Sequence, residues 1–253
     1  MKNKVALVTG GGTGIGRGIT IELAKAGYDV VINYYSSSEK AEKVVSEIEK
    51  LGVRSIAIQA NLSNLDGINK LFDDFEKQFE RLDLFVNNSG VTLKSPFLET
   101  TEEIFDSMCN LDYKGAYFCM QRAAKLMVNK NIQGNIIVIS SNNAKAHFAD
   151  VSVYGSVKAA LTKLAEHIAI ELAKYKIRVN TIAPGWTDTG ASRLDEKGST
   201  YYKVPLKRWC TPEEIGKAVL FLSGDNAFSI TGITLVIDGG ALLISDKAEK
   251  YGL

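Results

Sequence analysis

The chain has 253 residues, 45% of them hydrophobic, enough for a large core that needs no disulfide or metal staple. Its 30 basic and 29 acidic residues leave a formal charge of +1, which gives no electrostatic ground for a nucleic-acid or membrane-surface partner. Three scattered cysteines (Cys109, Cys119, Cys210), without a C-x-x-C pair and with only His147 and His167 as companions, read as free thiols and predict no metal site. The apolar run Val5–Val8 is too short for a signal-peptide core, and no stretch approaches the roughly 20 apolar residues that span a bilayer. A cytoplasmic protein is the expectation.

Short apolar runs at Val5–Val8, Val30–Ile32, Ser55–Ile58, Leu84–Val86, Ile136–Ile139, Val179–Ile182 and Ile233–Ile237 read as strands buried on both faces. Between them, helical spacing runs over Ile15–Ala26, Glu39–Leu51, Leu65–Phe79, Glu102–Val128, Val153–Tyr175 and Pro212–Leu222. This alternation predicts an α/β fold: a three-layer, doubly wound parallel sheet (Rossmann fold) with ligands at the carboxyl ends of its strands. No linker interrupts it, so residues 1–253 are expected to form a single domain. The polar, weakly periodic stretch from Asp188 to Cys210 is the exception, and is expected to be a short lid over the ligand edge.

The first strand runs into Thr9-Gly10-Gly11-Gly12-Thr13-Gly14-Ile15-Gly16 and then directly into a helix. Glycines permit so tight a turn and let a pyrophosphate approach the backbone, while the new helix offers unpaired N–H groups. The spacing is G-x-x-x-G-x-G, and its place between first strand and first helix marks a dinucleotide site. The second strand ends in Asn33-Tyr34-Tyr35-Ser36-Ser37-Ser38 with no carboxylate. A carboxylate there would accept the ribose hydroxyl of NAD and repel the extra phosphate of NADP, so NADP(H) is preferred, with NAD possible. The serines could bind that phosphate, cap the next helix, or do both.

The fifth strand ends in Ser140-Ser141, and the next long helix begins with Tyr154-Gly155-Ser156-Val157-Lys158. Tyr154 and Lys158, four residues apart, lie on one helix face. An ammonium beside a phenol favours phenolate and brings a group that ordinarily ionises near pH 10 towards the working range. Ser141 could donate to a carbonyl oxygen where charge develops.

Taken in order, Thr9-Gly10-x-x-x-Gly14-Ile15-Gly16, Asn87-Asn88-Ser89-Gly90, Asn110, Ser141, Tyr154-x-x-x-Lys158, Pro184-Gly185 and Asp238-Gly239-Gly240 resemble the short-chain dehydrogenase/reductase family over nearly the whole chain. The resemblance implies a catalytic set of Asn110, Ser141, Tyr154 and Lys158. Tyr154 would be the general acid in reduction, Lys158 would tune it and hold the nicotinamide ribose, Ser141 would position the substrate oxygen, and Asn110 would hold a relay water. The implied cofactor residues are Gly10, Gly12, Thr13, Gly14, Ile15, Gly16, Tyr34, Tyr35, Ser36, Asn61, Leu62, Asn88, Gly90, Tyr154, Lys158, Pro184, Gly185, Thr187 and Thr189. Ser89, Asn61 and Cys210 stand where the family often has alanine, aspartate and glycine; Cys210 questions only the local turn geometry.

The resemblance also implies an NADP(H)-dependent carbonyl–alcohol oxidoreductase and a homotetramer. The two long helices carry apolar residues around much of their girth, which agrees with self-association. The loop Asn142-Asn143-Ala144-Lys145-Ala146-His147-Phe148 suggests a small polar substrate such as a sugar, polyol or hydroxy-ketone. Two other readings stand beside it: a thioester reductase resembling 3-oxoacyl-[acyl-carrier-protein] reductase, its rim built from Arg193, Lys197, Lys203, Lys207 and Arg208, and a non-catalytic nucleotide sensor.

Overall fold

Alternate residues of the first strand belong to two different cores, and this sets the architecture. Val5 and Leu7 pack with Phe72, Phe75, Phe85 and Met120 on one face, whereas Ala6 and Val8 pack with Ile19, Ile48 and Ile215 on the other. Side chains that alternate across a strand can be apolar on both sides only when helices cover both faces. The computed structural model, which describes residues 3–190 and 203–243, has this arrangement.

Among the described residues, seven strands, β1 (Val5–Val8), β2 (Asp29–Tyr34), β3 (Ser55–Gln59), β4 (Leu84–Asn87), β5 (Asn135–Ile139), β6 (Arg178–Pro184) and β7 (Thr234–Ile237), form one sheet in the order β3-β2-β1-β4-β5-β6-β7. Every pairing is parallel. Helices α1 (Gly14–Lys25), α2 (Ser38–Glu49) and α7 (Pro212–Ser223) cover one face. Helices α3 (Leu65–Gln78), α5 (Ala116–Asn129) and α6 (Ser152–Ala173) cover the other, and a short α4 (Glu102–Met108) precedes α5. Each fully buried Leu, Ile or Phe here contributes about 1.5–3 kcal/mol from apolar burial. Strand order reverses between β1 and β4, so a ligand crevice opens beyond their carboxyl ends.

Expected element boundaries agree with the structure to within two residues, with one exception. The single helix expected over Glu102–Val128 is interrupted: α4 ends at Met108, a π-helical turn occupies Cys109–Gly115, and α5 begins at Ala116. The wider turn fits a close backbone contact, since any Cβ on Gly115 would collide with the Leu62 carbonyl oxygen. It also turns Asp112 fully inward.

Of the lid expected over 188–210, residues 191–202 lie outside the described residues, and Arg193 and Lys197 lie there too. The two ends of this stretch meet. Thr187 bridges Cys210, the Asp188 N–H donates to the Cys210 carbonyl (2.8 Å), and the Cys210 N–H donates to the Trp186 carbonyl (2.9 Å). Cys210 is absent from the residues with positive φ, so this position needs no glycine here. Arg208 closes the return with a forked contact to Glu214 (2.8 and 2.6 Å), which also completes a capping box with Thr211 at the head of α7.

Candidate active site

The crevice is assembled from strand ends that are tied to one another. The Thr9 hydroxyl at the end of β1 accepts from the N–H groups of Asn88 and Ser89 beyond β4, both at 2.9 Å. The Asn88 amide donates back to the Thr9 carbonyl at 2.9 Å, so Asn88 braces the glycine turn. Gly10 and Gly14 have φ of +63° and +51°, the left-handed region that a Cβ disfavours, and a Cβ on Gly16 would strike the Gly10 carbonyl oxygen.

Helix α1 starts at this turn without a cap. Asn64, Thr101 and Thr211 cap α3, α4 and α7 through their side chains, but Thr13 makes no such bond and the first turn of α1 has no acidic residue. Its leading N–H groups and positive dipole end therefore face the crevice unmatched, which fits a dinucleotide pyrophosphate. Gly12 stands against Ala41 of α2, and Ile15 packs on the core behind the turn. On the far side, the chain leaving β6 through Pro184, Gly185 and Thr187 reaches back to α1: a Cβ on Gly14 would stand 3.3 Å from Thr189 Cγ2. Thr187 donates to the Gly185 carbonyl at 3.1 Å.

At the adenosine end, buried Asn33 fixes β2 to β3 by donating to the carbonyls of Ile58 and Ala60. Tyr34 is half-buried, while Tyr35 and Ser36 are exposed. Ser37 heads α2 without a side-chain capping bond, so its hydroxyl is not committed to the helix. Asn61 Oδ1 accepts from the N–H and hydroxyl of Ser63, leaving its NH₂ as the group free to meet an adenine. The Leu62 side chain is buried in the core, so only its backbone can serve a cofactor.

At the other end, the Ser140 hydroxyl donates to the Lys158 carbonyl (2.9 Å), locking β5 to the first turns of α6. Ser141 Oγ accepts from the Asn143 N–H at 3.1 Å, so its own hydrogen remains available to a substrate. Lys158 Nζ lies 5.5 Å from the centre of the Tyr154 ring, and the Asn143 side chain packs against Gly155 between them.

Asn110, expected to act through a water, lies in the π-helical turn and, among the described residues, makes no direct side-chain hydrogen bond to Ser141, Tyr154 or Lys158. The π-helical turn instead directs Asp112 there, with Oδ2 3.2 Å from Lys158 Nζ and Oδ1 accepting from the Val91 N–H at 2.9 Å. Gly90 makes the space, because a Cβ there would stand 2.6 Å from Asp112 Oδ2. Burial pushes the Asp112 carboxyl above its ordinary range, opposed by the Lys158 ammonium and the Val91 N–H. Asn110 belongs to the expected set through the family resemblance, whereas Asp112 reaches Lys158 because the turn is wider than an ordinary helix through 102–128 would be.

One amide of the loop after Ser141 is engaged within the fold. Asn142 is buried and directed at Asp238 (3.5 Å), whose oxygens further accept from the N–H groups of Gly240 and Leu242. Its amide serves the fold. What the loop offers instead is Phe148, edge-on to Trp186 with ring centres 5.4 Å apart.

A family model described as Enoyl-(Acyl carrier protein) reductase matches residues 10–241. The 3-oxoacyl-[acyl-carrier-protein] reductase FabG of Staphylococcus aureus is 38% identical over 242 residues, covering 94% of this chain and 97% of that protein. The chain belongs to the short-chain dehydrogenase/reductase family. Among solved structures, acetoin dehydrogenase from Enterobacter cloacae superposes with a TM-score of 0.91 at 33% identity, covering 97% of this chain and 98% of that one. A short-chain dehydrogenase from Burkholderia cenocepacia in complex with NADP gives 0.89 at 33%, covering 94% and 98%. This short-chain dehydrogenase/reductase is thus an NAD(P)-dependent oxidoreductase. Among its described residues no helix is long and apolar enough to cross a membrane.

Proposed function

We propose that the protein is an NADP(H)-dependent enzyme that interconverts a carbonyl and a secondary alcohol on a small hydroxy-ketone. The observation that carries this reading is the placement of Lys158 5.5 Å from the Tyr154 ring, on a helix tied to the strand end that bears Ser141. The bound nicotinamide supplies or accepts the hydride. Gly10, Gly12, Thr13, Gly14 and Gly16 would hold its pyrophosphate, and Pro184, Gly185, Thr187 and Thr189 would flank the nicotinamide end. Tyr154 delivers a proton to the substrate oxygen in reduction and removes it in oxidation, Lys158 favours the phenolate, and the Ser141 hydroxyl orients that oxygen.

Support for NADP(H) comes from β2 ending without a carboxylate and from the uncommitted hydroxyl of Ser37. The NADP-bound Burkholderia structure agrees with it. The kcat/KM for NADPH should exceed that for NADH, and Tyr35→Asp should narrow or invert the ratio. Equal or better use of NADH by the unaltered enzyme would overturn the preference.

With Asn142 engaged by Asp238 and Phe148 packed on Trp186, the substrate side offers an aromatic flank more than a row of amides. Within the polar class this favours short hydroxy-ketones over sugars, in keeping with the acetoin dehydrogenases among the structural relatives. The 38% identity to a 3-oxoacyl-[acyl-carrier-protein] reductase favours a second reading, a thioester substrate. Against that reading, Arg208 of the supposed basic rim is already paired with Glu214. Comparing kcat/KM for acetoin and diacetyl with that for acetoacetyl-CoA decides between them. A thioester advantage of more than about tenfold, some 1.4 kcal/mol in transition-state binding, selects the second. We infer further that copies of the chain associate through the face formed by α4 and α6.

A further inference from the structure

We propose that the Asp112 carboxylate, buried against Lys158, is a positioning residue that fixes the lysine and sets how strongly its ammonium acts on the Tyr154 phenol. The inference rests on the assignment of Tyr154 and Lys158 made above. Asp112 is fully buried and Lys158 nearly so, with the charged atoms 3.2 Å apart. The contact is chiefly ionic, because Oδ2 lacks a well-aligned hydrogen-bond donor while Oδ1 takes the Val91 N–H.

Hydrogen bonding alone does not account for a carboxylate at this place. An amide oxygen would accept from Val91 equally well and would spare the cost of burying a charge. What an amide cannot do is compensate the ammonium. Among the described residues, the titratable groups facing Asp112 are Lys158 from α6 and, from its own π-helical turn, Cys109, whose thiol is raised by burial and by the carboxylates of Asp106 and Asp112. The segment after β4 presents the Val91 N–H and Gly90. Tyr154 lies beyond Lys158.

The compensated lysine draws the phenol less strongly towards phenolate than a lone ammonium would. A site built this way favours donation of the phenol proton, which is the requirement of carbonyl reduction.

The test follows the near-ultraviolet tyrosinate band on alkaline titration of the protein without cofactor or substrate. Subtracting the titration of Tyr154→Phe from that of the unaltered protein isolates Tyr154, and subtracting Asp112→Asn/Tyr154→Phe from Asp112→Asn isolates it without the carboxylate. Asp112→Ser serves as a second neutral variant, and circular dichroism reports folding. The Tyr154 midpoint should fall by about half a pH unit or more in the neutral variants, as expected when a nearby compensating charge is removed. An unmoved midpoint overturns the proposal, and so does failure of both neutral variants to fold, which assigns the pair to structure alone. Turnover by Tyr154→Phe would instead sink the acid–base assignment, leaving the two failures distinguishable.

Discussion

Tyr154 and Lys158 share a face of α6 because residues four apart stack one turn above the other, and the Ser140–Lys158 bond holds that face to the end of β5. Removal of one oxygen from this group is therefore informative: Tyr154→Phe keeps the ring against Lys158 and should leave folding and cofactor binding intact. Turnover should fall by roughly 10²–10⁴-fold, the usual cost of losing a general acid–base group. A near-normal kcat in single-turnover assays would remove Tyr154 from the chemistry. The same residues show what sequence can deliver at this scale. Fixed spacing on one regular element made Tyr154 and Lys158 legible, and the strand end gave Ser141. Asp112 was hidden because its direction depends on a local π-helical turn, which residue order does not announce. The partner of Asn142 was hidden for a related reason: an amide near the substrate edge looks free until Asp238, 96 positions further along, is seen beside it.

The structural elements were easier to read than their joints. Near-continuous apolar runs gave the strands, since burial on both faces leaves no polar positions to blur them. The break between α4 and α5 went unseen because apolar spacing persists across it, while its cause is a backbone contact between Gly115 and Leu62 from a distant segment. At α7, Glu214 does two tasks, closing the capping box with Thr211 and holding Arg208 in a fork. Glu214→Ala should lower stability by about 1 kcal/mol through loss of the cap. Arg208 also holds the Glu214 carboxyl below its ordinary range. A carboxylate with a depressed folded-state pKa stabilises above its unfolded pKa and loses that contribution as pH falls through the folded one. Thermal melts should therefore show the unaltered protein and Glu214→Ala converging on acidification below the ordinary carboxylate range. A constant gap in Tm down to strong acid would refute this account.

For the whole molecule, the face of α4 and α6 that the sheet does not use carries exposed apolar groups. Phe105 on α4 is 49% exposed and Ile170 on α6 78%, while Phe97 in the turn before α4 is 79% exposed and Tyr113 in the π-helical turn is exposed as well. Exposed apolar groups of this kind favour the association inferred above, so light scattering at micromolar concentration should report a tetramer, and Phe105→Glu should shift it to smaller species. A monomeric unaltered protein would contradict the assembly. The two ends of the stretch 188–210 have a different consequence. Because Thr187 and Cys210 pair and Arg208 is forked to Glu214, the chain leaving β6 and the chain entering α7 are held together by these anchors. Between two points held together in this way, doubling the length of flexible chain costs only about 0.6 kcal/mol in closure entropy. The enzyme can thus be regarded as a fixed chassis with an exchangeable cassette: replacing residues 191–202 by a foreign sequence should alter which carbonyl is accepted while Tm moves by only a few degrees. New specificities could be grafted, or acquired by descent, at one position on the molecule without renegotiating the sheet beneath it.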